Sequence, residues 1–138
     1  MNNSIDLKNK VVLVTGGSRG IGSAICTAMA ACGANVVINY HSHKESAENL
    51  AISLQNDYGV KVMSIGADIS NEEDVENMFL FIDENFGGLD VLVNNAGCET
   101  IANAIDLDLK VWNKIFDVNL KGAFHCAQLA GRKMVENK

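Results

Sequence analysis

The chain has 138 residues, enough for one domain with a sizeable core, and 48% of them are hydrophobic, which argues against intrinsic disorder. Seventeen acidic against 11 basic residues leave a net charge of −6, which disfavours a nucleic-acid surface or a basic membrane anchor; the scattered acids fit a solvated face. The start is polar and no apolar run approaches the ~20 residues that span a bilayer, so a soluble, cytoplasmic protein is expected.

The first element is the run Val11–Val14, aliphatic throughout, as a strand buried on both faces of a parallel sheet should be. Gly16, Gly17, Gly20 and Gly22 follow at once, and Ile21, Ala24, Ile25, Ala28 and Met29 then recur at helical spacing as far as Gly33. Such glycines would suit a tight strand-to-helix turn. Contiguous strand, glycine turn and helix also suit a phosphate site, because the helix N-terminus offers unpaired N–H groups and a backbone without Cβ atoms lets an anion approach.

A second buried strand is expected over residues 35–39 and a helix over residues 44–58, with Ala47, Leu50, Ala51 and Leu54 on one face and Gly59 as its stop. Residues 60–65 read as a third strand. Ser70 with Glu73 forms the pattern of a capping box, opening a helix that buries Val75, Met78, Phe79 and Ile82 and ends at Gly87 and Gly88. Residues 89–93 are the fourth strand. Residues 107–135 form a last long helix with a broad apolar face carrying Val111, Ile115, Val118, Ala123, Phe124, Ala127, Leu129 and Met134. Strands alternating with helices in this way predict an α/β protein: a doubly wound parallel sheet of order 3-2-1-4, in one domain over residues 1–138, with a crevice at the carboxyl ends of strands one and four.

Two segments, in this order and on these elements, carry a resemblance: Thr15-Gly16-x-x-x-Gly20-Ile21-Gly22 after the first strand, and Asn94-Asn95-Ala96-Gly97 after the fourth. Over essentially its whole length the chain resembles the short-chain dehydrogenase/reductase family, and within it looks most like glucose 1-dehydrogenases and 3-oxoacyl-carrier-protein reductases. The resemblance implies a Rossmann-type fold and an NAD(P)-dependent oxidoreductase that moves a hydride between nicotinamide and a carbonyl or alcohol substrate. It implies that Gly16, Ser18, Arg19, Gly20, Ile21 and Gly22 form the coenzyme turn and that Tyr40 and His41 lie by the adenosine ribose. Asp68 and Ile69 would then lie by the adenine, and Asn95, Ala96, Gly97 and Val118 along the coenzyme. On the residues alone, Arg19 also suits an exposed turn and Asp68 a turn before a helix cap. Tyr40 stands where an aspartate marks NAD preference, and Arg19 can pair with a 2′-phosphate, so NADP is the expected coenzyme and NAD the alternative.

By the same resemblance Asn119 is the catalytic asparagine, holding a water that relays protons to a lysine. The family's serine, tyrosine and lysine lie beyond that helix, whereas the sequence ends at Lys138. The expectation is therefore a coenzyme-binding, amino-terminal portion with later strands absent and no turnover unaided. Tyr40-His-Ser-His-Lys44 has the spacing of the catalytic pair, but it follows strand two, at the adenosine end, and is read as a chance match. The alternatives are a nucleotide-binding or assembly module without turnover, or a truncated product with no function. An uncovered fourth strand and apolar helix stripe predict a homo-oligomer or a complementing chain. No metal site is expected: His41, His43, His125 and the four cysteines lack ligand spacing. Cys26 and Cys32 are expected to be buried, and Cys98 is the cysteine singled out for reactivity.

Overall fold

A computed structural model describes residues 5–137. Its elements run β1 (Val11–Val14), α1 (Gly20–Ala31), β2 (Asn35–Tyr40), α2 (Lys44–Tyr58), β3 (Val62–Gly66), α3 (Glu72–Phe86), β4 (Val91–Val93), α4 (Leu109–Phe116), a π-helical turn (Asp117–Gly122) and α5 (Ala123–Glu136). All strand pairs are parallel and the order is β3-β2-β1-β4, as the alternation of elements predicts.

The period-two alternation of the strands sorts the core into two layers. Val12, Val14, Val36 and Ile38 face α1 and α2, meeting Cys26, Ala30, Ala47, Ala51 and Leu54. Val11, Leu13 and Val37 face the other way, onto Val75, Met78, Phe79 and Ile82 of α3 and Cys126 and Ala130 of α5. Helices thus cover both sheet faces, and β1 and the middle of β2 (residues 36–39), with neighbours on every side, are buried, whereas β4 at the sheet edge is only half-buried.

Several boundaries and faces differ from expectation. The face of α1 that meets the sheet is Gly22, Cys26 and Ala30, while Ile21 is 76% exposed. Small side chains win here because the helix lies so close: a Cβ on Gly17 would stand 3.0 Å from Cys26 Sγ. The cap of α3 is Asn71, whose side chain accepts from Asp74 N at 3.0 Å, not Ser70 with Glu73. Ser70 is engaged instead by Asp68, to which its N–H and hydroxyl both donate.

The long final helix is not continuous. Asp108 caps α4, and the π turn then widens the helix where Gly122 meets the β3–α3 connection, a Cβ there lying 2.6 Å from Ile69 O. Phe124 and Ala127, expected in the buried stripe, are exposed; Cys126 and Ala130 hold that place. Cys32 is half-buried at the end of α1 rather than inside it. No helix of the described residues is long and apolar enough to cross a membrane.

Candidate functional site

At the carboxyl ends of the strands the backbone is stapled by three side chains. Thr15, wholly buried after β1, accepts from the N–H groups of Asn95 and Ala96 (3.0 Å each) and donates to Val93 O. Asn95 returns the link, its Nδ2 donating to Thr15 O and Gly16 O at 3.0 and 3.1 Å. Asn39, buried at the end of β2, accepts from Gly16 N and donates to Ala67 O. These bonds tie the ends of β1, β2, β3 and β4 into one rim and satisfy backbone groups that the parting strands would otherwise leave unpaired.

Above the rim the glycine turn reverses the chain into α1. Gly16 and Gly20 have φ of +61° and +53°, which a side chain rarely adopts. Gly22 is a matter of space: a Cβ would fall 2.2 Å from Gly16 O and 2.7 Å from Asn95 Nδ2. The turn thereby sets the N-terminus of α1 against the rim. Arg19, its N-cap, is extended and makes no side-chain capping bond, and the first turn holds no acidic residue. By contrast, α3 is capped by Asn71 and opens on Glu72, Glu73 and Asp74. The unpaired N–H groups of a first helical turn, with no carboxylate to answer them, make an anion site.

A cleft of about 340 Å³ opens there. Ten of the expected site residues line it: Gly16, Ser18 and Arg19 from the turn, His41 after β2, Asp68 and Ile69 after β3, Asn95, Ala96 and Gly97 after β4, and Val118 from the π turn. Gly20, Ile21 and Gly22 are not in its wall; they form the start of α1.

Tyr40 is not in the wall either. Successive strand residues point to opposite faces, so with Asn39 aimed at the rim Tyr40 turns away. Its ring lies over Gly66, where a Cβ would meet it at 3.2 Å, and packs against the α1–α2 layer. The Tyr40–Lys44 match is accordingly no acid–base pair facing the cleft, and Lys44 stands 3.7 Å from Glu48 on its own helix.

Asn119 is likewise outside the wall. Its Oδ1 accepts from Cys98 N and its Nδ2 donates to Cys98 O, both at 2.8 Å, so the side chain clamps the segment after Asn94–Gly97. Asn94 adds a bond from its Nδ2 to Ala123 O at 3.0 Å.

The charge of the cleft opposes that of the protein. Its ionisable lining includes Arg19, Lys114, His41 and His43, with Asp68 the one carboxylate. Partial burial pushes the pKa of Asp68 up, but two hydrogen bonds from Ser70 and the charges of His41 and Lys114 outweigh it and hold the carboxyl below its ordinary value. Ser42, His43 and Lys114 were not foreseen. Lys114 sits 46 residues beyond Asp68 in the chain, and no spacing rule brings the two together. Thr15 did carry a signal, as a hydroxyl at the end of an aliphatic strand that needs a partner.

The fold, the glycine turn and the rim match one known family: its model, described as short chain dehydrogenase, covers residues 10–138. The chain belongs to the short-chain dehydrogenase family. It is 40% identical over 124 residues to the D-beta-hydroxybutyrate dehydrogenase of Cupriavidus necator, covering 90% of this chain and 47% of that protein. Among solved structures it is similar to a short-chain dehydrogenase from Burkholderia cenocepacia in complex with NADP, with TM-score 0.89 and 38% identity over 93% of this chain and 52% of that one. It is also similar to the L-sorbose reductase of Gluconobacter frateurii complexed with NADPH and L-sorbose, with TM-score 0.92 and 28% identity over 97% and 51%. The chain spans about half the length of these relatives. None of the three is named a glucose 1-dehydrogenase or a 3-oxoacyl reductase, the subgroups expected from the sequence. The four-stranded parallel sheet here is Rossmann-like.

Proposed function

We propose that the chain is the coenzyme-binding part of an NADP-dependent oxidoreductase acting on a carbonyl or alcohol substrate. The observation that carries this is the open N-terminus of α1, free of acidic residues and set over a cleft whose adenosine end carries Arg19 and no carboxylate after β2. The residues fit a dinucleotide: Ser18 to Gly22 offer backbone N–H groups to a pyrophosphate, Arg19 a fork for a 2′-phosphate, Asp68 an acceptor for adenine. When bound, the nicotinamide supplies the hydride. NADP in the Burkholderia relative and NADPH in the sorbose reductase agree with this coenzyme, with NAD the weaker alternative.

In this reading Asn119 is a positioning residue that fixes the Cys98 segment. Neither tyrosine of the chain lines the cleft. Turnover then depends on acid–base groups these residues do not themselves bring to it. A cytoplasmic setting accords with four cysteines that are all unpaired.

Titration with NADPH and NADH tests the proposal. Arg19→Ala should weaken NADP binding roughly tenfold and NAD binding less than about twofold, the size of one charge-assisted phosphate contact. Equal losses would remove the NADP preference, and no binding of either would remove the reading.

One observation favours an assembly role beside it. Trp112, Phe116, Leu120 and Phe124 recur every fourth residue along α4, the π turn and α5, each 43–64% exposed, with Trp112 and Phe116 stacked 4.6 Å apart. A contiguous stripe of this kind marks a protein interface, and a second copy of the chain is the occupant we propose for it.

A further inference from the structure

We propose that a second copy of the chain seats its Trp112 in a groove behind the coenzyme cleft, so that self-association and coenzyme binding strengthen one another. This rests on the readings above that the cleft holds a nicotinamide dinucleotide and that a second copy covers the stripe. The groove, about 240 Å³, has Ile69, Ser70 and Glu72 on one side and Lys121 and Phe124 on the other. Ile69 and Ser70 line the cleft as well, so the connection from β3 to α3 is a wall with a cavity on each side.

Phe124 joins the groove to the stripe. It ends the series Trp112, Phe116, Leu120, Phe124 and is 64% exposed. A two-fold pairing that sets stripe on stripe runs either parallel or antiparallel. Asp117 and Lys121, each next in the chain to a stripe residue, favour the second. Parallel helices bring like charges together, whereas antiparallel helices set Asp117 of each copy near Lys121 of the other and oppose the helix dipoles. Centred between Phe116 and Leu120, that pairing matches the first stripe residue with the last, so Trp112 of one copy meets Phe124 of the other at the groove. The groove's chemistry suits an indole. Ile69 and Phe124 offer apolar surface, and Glu72, in no ion pair among the described residues, offers an acceptor for the ring N–H.

The coupling runs through the wall. Ser70 gives its N–H and its hydroxyl to Asp68 Oδ1, at 2.9 and 2.7 Å, and so fixes the carboxylate at the adenosine end of the cleft. Ile69 is backed by Gly122, where a Cβ would stand 2.6 Å from Ile69 O, but Ser70 is backed by the open space of the groove. An indole filling that space narrows the positions open to Ser70 and Asp68, leaving less ordering for the coenzyme to impose. By linkage the coenzyme tightens association by the same factor.

Trp112 is the one tryptophan of the chain, so its fluorescence reports its own burial. Sedimentation with and without saturating NADP should show the dimer dissociation constant falling roughly fivefold, the low end of ordinary coupling. Trp112 emission should move to shorter wavelength as the dimer forms. Trp112→Ala should weaken association roughly tenfold and remove the effect of NADP on it. Coenzyme binding by the dilute variant should stay within about twofold of the unmodified protein, because Trp112 is not in the cleft wall. NADP that binds but leaves the dimer constant unchanged, dimers in which Trp112 keeps the emission of the monomer, or coupling that survives in Trp112→Ala overturns the inference while both readings stand. A chain that binds NADP yet is monomeric at every concentration overturns the self-association reading and the inference with it. Dimers that bind no coenzyme overturn the dinucleotide reading and the inference with it.

Discussion

The two sides of the sheet differ in how they are held. On the β1–β2 side all of β1 and residues 36–39 of β2 are buried, the rim is laced by Thr15, Asn39 and Asn95, and a Cβ on Gly22 would have no room. On the β4 side the strand is short and half-buried, α4 has no fully buried residue, and an aromatic and aliphatic stripe faces solvent. The first side has its partners within the chain. The second presents surface of a kind that usually meets another polypeptide.

The largest expected effect that would break this contrast is at Gly22. Gly22→Val drives side-chain atoms into Gly16 O and Asn95 Nδ2, and should cost about 4 kcal/mol or leave the chain unfolded, as seen in thermal melting. A stable variant would show that the rim is looser than described. Next is Thr15→Val, which keeps the shape but removes an acceptor for two part-buried N–H groups. It should cost about 1–3 kcal/mol in denaturant unfolding.

On the other side, Leu120→Glu with Phe124→Glu should leave stability within roughly 0.5 kcal/mol, because neither side chain is in the core. The pair should nonetheless shift the protein towards monomer in light scattering. If the unmodified chain is already a monodisperse monomer at micromolar concentration, the stripe is no self-association surface.

The smallest effect is that of Asp68. Its carboxyl is held below the ordinary pKa, so its contribution to stability is complete above the unfolded value, near pH 4, and is lost as pH falls through the folded value. With the side chain about a third exposed, that contribution is a few tenths of a kcal/mol at most. Asp68→Asn should therefore lie slightly below the unmodified protein at neutral pH and converge with it in acid.

Much of this was legible beforehand because it depends on local patterns. Val11–Val14 reads as a buried strand from four residues, and Gly59 and Gly87, both in the left-handed region, end α2 and α3 where the glycines stand in the sequence. Strand order follows from the handedness of successive crossovers. The stripe of α3 is equally direct, since Val75, Met78, Phe79 and Ile82 have no rival face.

The helix α1 is different. Of its larger apolar residues, Ile25 and Met29 pack only at the margin of the core and Ile21 is exposed, while Gly22, Cys26 and Ala30 occupy the buried centre of the face. What decided that was the distance of closest approach between helix and turn, which no periodicity contains. The same holds for the cap of α3, where Ser70 and Asn71 were both chemically able and the demand of Asp68 for the serine left the asparagine to cap.

Period-two and period-3.6 patterns, the glycine turn and the Asn94–Gly97 segment were properties of the sequence itself, because each rests on neighbours along the chain. The turning away of Tyr40, the clamp of Asn119 on Cys98, the break at Asp117–Gly122 and the meeting of His41, Asp68 and Lys114 at one cleft were decided only in three dimensions. Each depends on groups 20 or more residues apart being brought within a few ångströms, a condition set by how the layers pack.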